Sequence, residues 1–217
     1  ANINYSLAGM LGISLFATLM AIFLGITLLH KEIEKRTIYP ILTKPVSRPA
    51  YLVGKFLGLS GTMIVQIGLM AVVWLVVILI QGAAPGAGVA FALLLIVGET
   101  LLVIALALFF TSFSRPFLSA LFCLGIYASG RNAELIAQLS RRESLGALGP
   151  VLDAVSRVLP NFYLFYPSGK LVEGSWASVH GQFVSSGYLL TTLAYGGAYT
   201  LALVLVAAFI LSRRDFI

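Results

Sequence analysis

The chain has 217 residues, of which 59% are hydrophobic and 10% charged, and its mean hydropathy is +1.00. A soluble domain typically carries about 25% charged residues, so the composition excludes an ordinary soluble fold and points to a membrane protein. The net charge of +6 has no Lys/Arg stripe on a soluble face to suit nucleic acid; the basic residues cluster beside apolar runs, where they set topology. The lone Cys123 cannot form an intrachain disulfide, and it and two distant histidines have no metal-ligand spacing.

Residues 5–29 are uncharged and long enough to span a bilayer. Ala17, Ala21 and Gly25 recur every four residues and share one helix face, where small side chains let another helix come close. That face suits either a contact within the chain or a dimer seam.

Residues 30–55 read HKEIEKRTIYPILTKPVSRPAYLVGK and hold six of the 14 Lys and Arg residues, with Glu32 and Glu34. A dense charged stretch between two apolar ones is expected to be a cytoplasmic loop. Pro40, Pro45 and Pro49 prevent one continuous helix, because the residue before each proline is biased away from helical geometry. Attraction to anionic lipid explains the basic residues. It does not explain the paired acids or the prolines, so a docking surface for a cytoplasmic protein is the stronger reading.

Residues 56–80 form the next expected span, with Gln66 its strongly polar side chain. A Gly/Pro turn at 81–88 returns the chain through 89–113. Glu99 lies near the middle of this span, where an acid costs roughly 2.5–3.5 kcal/mol unless it faces protein or water. Gln66 lies within about 5 Å of the same depth and is its expected partner. The pair either locks two helices together or marks a transport path or proton site.

Residues 116–130 are apolar but short for a span. Residues 131–186 form the long polar region, with an amphipathic stripe at Val151, Leu152, Val155, Val158 and Leu159 that predicts a short external helix. Phe162, Tyr163, Phe165, Tyr166 and Trp176 follow, and aromatics favour the headgroup level. The last span is 187–211, with a Gly196-Gly197 pair suited to a close neighbour or a bend. The expected fold is therefore an all-α polytopic bundle forming one membrane domain, with five spans, a cytoplasmic loop at 30–55 and external helices at 131–186. With that loop in the cytoplasm, Ala1 and 131–186 lie outside, and an outside start with five spans leads us to expect one more span before Ala1.

Enzyme signatures are missing. Gly54-Lys55 and Gly169-Lys170 lack the earlier glycine of a phosphate-binding loop, since Pro49 and Leu164 stand there. No H-E-x-x-H or G-x-S-x-G occurs, and Glu99 alone is too little for an intramembrane enzyme. Inverted repeats suggesting a secondary transporter are not evident.

The loop resembles the first cytoplasmic loop of type-2 permeases of ATP-binding-cassette transporters. Glu34, Thr37, Leu42, Pro45, Ser47, Arg48, Gly54 and Lys55 carry the likeness, with Arg36 where a glycine is common. The Leu159-Pro160-Asn161 step and the closing Arg213, Arg214, Asp215 and Phe216 are similar to the branch that includes the permease for nitrous-oxide-reductase maturation. The resemblance implies six family spans, with the first before Ala1, and a bacterial cytoplasmic (inner) membrane. It also implies an ATPase subunit holding ATP and Mg2+, no cofactor on this chain, and a second permease copy or a related permease beside it. Within the loop, Glu32, Glu34, Arg36, Thr37, Leu42, Pro45 and Arg48 become the expected ATPase-coupling residues. Exported cargo is implied without being named. The alternative is a membrane anchor that relays ATPase motion to an extracytoplasmic partner without transport.

Overall fold

The computed structural model describes residues 2–34, 48–82, 88–133, 135–136, 159–165, 170–172, 175–177 and 186–213. Five long helices dominate: α1 (Asn2–Glu34), α2 (Arg48–Ile80), α3 (Gly88–Thr111), α4 (Pro116–Arg131) and α5 (Ser186–Arg213). Four of them, all but α4, are long and apolar enough to cross a membrane. The protein is a polytopic helical membrane protein. Among the described residues between α4 and α5 are a 3-10 turn at Phe162–Phe165 and two three-residue strands, β1 (Lys170–Val172) and β2 (Ser175–Ala177). The strands pair antiparallel with Leu171 opposite Trp176, a small exception to the all-helical expectation for this region. The amphipathic stripe at 151–159 lies outside the described residues except for Leu159.

The central helix is α3, which packs against α1, α2, α4 and α5. Apart from Glu99 and its threonine and glycine positions, its sequence is apolar around the helix, as a helix surrounded by protein or lipid requires. Leu95, Ile96, Leu102, Val103, Ala105, Ala107 and Leu108 are all fully enclosed. By contrast α2 leaves Leu57, Val65, Leu69 and Val73 more than half exposed, an apolar surface suited to lipid.

The Ala17, Ala21 and Gly25 face is occupied within the chain. Ala17 and Ala21 are buried, and a Cβ on Gly25 would come 2.8 Å from Ala107 Cβ on α3. Within the chain this face lies against α3, the internal contact of the two expected arrangements.

The α3–α4 hairpin fixes the level of everything beyond it. Residues 112–115 make the turn, Arg115 is extended (φ −73°, ψ 155°), and Pro116 opens α4 where a missing N–H is harmless. Phe109, Phe110, Phe113 and Phe122 pack with ring centroids 5.1–5.7 Å apart and pin the two helices near the turn. The 16 residues of α4 cover about 24 Å, against a hydrocarbon core of about 30 Å. Asn132 ends the helix, its Nδ2 donating to the Ala128 carbonyl at 2.8 Å.

The aromatics at 162 and 165 face protein rather than the outer surface. Phe162 and Phe165 are fully buried in the bundle, because glycines on three helices open space for them. Gly196 of the Gly-Gly pair is one of these, and Gly197 faces open space.

Gly25→Val tests the α1–α3 seam. Overpacking there should cost about 1–3 kcal/mol, whereas Gly58→Ala, which meets nothing within 4 Å, should be nearly neutral. Thermal unfolding of the two purified variants in the same detergent gives the comparison.

A buried polar network as the candidate functional site

Two pairs of polar residues at helical i, i+4 spacing converge on one acid. Ser14 and Thr18 lie one turn apart on α1, and Tyr127 and Arg131 lie one turn apart on α4. Glu99 stands on α3 between them. The Glu99 side chain is 1% exposed and that of Arg131 18%.

Both carboxylate oxygens are used. Ser14 Oγ donates to Glu99 Oε2 at 2.8 Å. Arg131 Nη1 donates to Glu99 Oε1 at 2.8 Å, forming an ion pair, and Tyr127 Oη donates to the same oxygen at 3.2 Å. The same guanidinium nitrogen donates to Ser14 Oγ at 3.2 Å and to Tyr127 Oη. Thr18 Oγ1 lies 3.5 Å from Tyr127 Oη, as a long donor to it. The guanidinium carbon also sits 5.5 Å from the Tyr127 ring centre, within cation–π range. The network joins α1, α3 and α4 through charge-assisted bonds.

The short α4 explains why Arg131 belongs here. Glu99 lies 12 residues before the end of α3, about 18 Å along the axis. Arg131 lies 15 residues after the start of α4, about 22 Å on the way back. The two are nearly level, and the long Arg side chain closes the remainder. Counting Arg131 as the first residue of an external loop therefore misplaces it. A full-length span would have carried it to the interface.

Gln66 does not share the site. Its amide is half-buried on α2, and the groups that bond Glu99 come from Ser14, Tyr127 and Arg131. Similar depth did not imply facing sides: α3 presents Glu99 toward α1 and α4. The sequence did contain the signal, as two i, i+4 polar pairs in apolar helices.

The coupling-loop residues are divided. The backbones of Glu32 and Glu34 close α1, and Arg48 opens α2. Arg36, Thr37, Leu42 and Pro45 lie outside the described residues. Among the described residues, acids, histidines and cysteine form no cluster of three able to hold a metal ion. The hydroxyl nearest the carboxylate, Ser14 Oγ, is itself bonded within the buried network. The network's chemistry is that of a closed ion pair able to hold three helices or, by breaking, to release them.

Removing one partner of a buried ion pair typically costs about 3–5 kcal/mol, because the other charge is left alone. Arg131→Met should show a loss of this size. Glu99→Leu combined with Arg131→Met should recover at least half of it, since no orphan charge remains. A double-mutant cycle of thermal unfolding in detergent measures both values.

A family model described as ABC-2 family transporter protein matches residues 4–129, which span α1, α2, α3 and most of α4. No curated protein and no solved structure matches the chain. The match takes in Ser14, Thr18, Glu99 and Tyr127 and stops two residues before Arg131. It covers more than half of a chain whose helices are built to cross a membrane, and the protein belongs to the ABC-2 transporter family, as a membrane component of such a transporter.

Proposed function

We propose that the chain is the transmembrane permease subunit of an ATP-binding-cassette transporter, driven by an ATPase on a separate chain that docks on residues 30–55. The family match carries this reading. The lengths of α1 and α2 support it. Each has 33 residues, about 50 Å, well beyond the roughly 30 Å of a hydrocarbon core. Their charged ends, Lys31 to Glu34 on α1 and Arg48 to Lys55 on α2, flank the 13 residues of the connection at 35–47. A push on that connection is delivered along two rigid helices into the bundle.

In this mechanism ATP and Mg2+ are held by the partner ATPase. ATP binding shifts the permease between inward- and outward-facing arrangements, which requires the ATPase to bind one arrangement more tightly than the other. A second copy or a related permease completes the assembly in a bacterial cytoplasmic membrane. The Leu159-Pro160-Asn161 step supports the branch that includes the nitrous-oxide-reductase maturation permease. Cargo leaves through a path that the pairing of permeases creates.

Glu34→Ala with Arg48→Ala tests the docking role. Co-purification of the ATPase, or ATP-dependent transport in membrane vesicles, should fall at least about tenfold, since each lost charge-assisted contact removes about 1.5–3 kcal/mol. Unchanged recovery of both would sink the proposal. Glu99→Gln separates the roles of the network: assembly at a normal level with transport lost assigns Glu99 to the transport cycle, and unchanged transport assigns it to packing alone.

A further inference from the structure

The buried aromatic turn and the ion pair share their parts. Each charged partner follows a glycine in sequence: Gly98-Glu99 on α3 and Gly130-Arg131 on α4. Each glycine is a seat for the returning segment at 159–165. A Cβ on Gly130 would lie 2.3 Å from the Pro160 carbonyl oxygen and 2.6 Å from Phe162 Cδ2. A Cβ on Gly98 would lie 2.7 Å from Leu193 Cδ2 on α5 and 3.1 Å from Phe165 Cε1. Phe162 also meets the edge of Tyr127 at 5.2 Å between centroids, and the Tyr127 hydroxyl donates to Glu99.

The opposite side of the turn is held by α5. A Cβ on Gly196 would lie 2.6 Å from Phe165 Cζ. The Asn161 N–H donates to Tyr195 Oη at 3.1 Å, and Tyr188 Oη donates to the Leu164 carbonyl at 2.7 Å. The turn thus touches three helices at once, and on two of them it rests on the residue beside a member of the ion pair.

We propose that residues 159–165 and the Glu99–Arg131 pair form one latch: the aromatic turn seats fully when Arg131 is drawn onto Glu99, and a shift of α4 against α3 unseats it. The geometry is that of a wedge whose slot is set by the α3–α4 spacing. Pulling Arg131 away from Glu99 moves Gly130 and Tyr127 with it and removes the surface on which Pro160 and Phe162 rest. Coupling of this kind is reciprocal. Displacing Phe165 from the α5 side must loosen the end of α4, where the Asn132 N–H bonds the Ala128 carbonyl at 3.2 Å. The latch makes residues 159–165 responsive to helix positions deep in the bundle.

Hydrogen exchange of the full chain in lipid nanodiscs, read by mass spectrometry, tests this with two variants. Glu99→Leu with Arg131→Met removes both charges without orphaning either. The amides of 161–165 should exchange at least about tenfold faster, while those of α2, which contributes no member of the network, keep their protection. Gly196→Ala pushes on Phe165 from the far side and leaves the ion pair untouched in sequence. It should speed exchange in 161–165 and also at Arg131 and Asn132. If 161–165 stays protected in the double variant, the pair is packing alone and the latch is wrong. Faster exchange spread equally through α2, or an α4 end that ignores Gly196→Ala, overturns it as well.

Discussion

A carboxylate at mid-depth in an apolar bundle forces decisions on its neighbours. Glu99 sits fully buried on the helix that touches all four other long helices. Its two oxygens must be satisfied inside the protein, and Ser14, Tyr127 and Arg131 do so. That requirement fixes the rotation of α1 and α4 about their axes and the height at which α4 ends. The apolar contacts are compatible with this arrangement, but side chains such as Leu and Ala would tolerate others. The ion pair selects one.

Small residues complete what the charges begin. Gly25 brings α1 against α3, and Gly98, Gly130 and Gly196 admit Phe162 and Phe165. Close backbone approach gives packing contacts that the hydrophobic effect cannot supply between helices in lipid. One group of glycines sets the α1–α3 seam, and the other cuts a slot in which two aromatic rings sit beside the charges.

Long apolar runs made the membrane class, the order of helices and the hairpin turns legible in the sequence, because length and the absence of charge carry that information directly. The charged loop and its Glu34-to-Lys55 pattern pointed to the transporter family, which the match over 4–129 shows. Partnership inside the bundle was less legible. Gln66 had the right depth for Glu99, yet depth is one coordinate and facing is another, and only packing supplies the second. Arg131 was hidden by an assumption that a charge after an apolar run lies at the interface. Phe162 and Phe165 were hidden because an aromatic-rich segment reads the same at a headgroup boundary as in a slot between helices. The difference lies in glycines more than thirty residues away from them in sequence on either side.

The shortness of α4 has a consequence outside the protein. Its exposed apolar side chains, Phe117, Leu121 and Leu124, ride on a helix about 6 Å shorter than the hydrocarbon core. Lipid beside it must compress, or the helix flanks must sink, and either response has an elastic cost that grows with acyl-chain length. Because α4 ends at Arg131, a helix shorter than the hydrocarbon core has its charged end held inside the bundle by Glu99 rather than left at its rim.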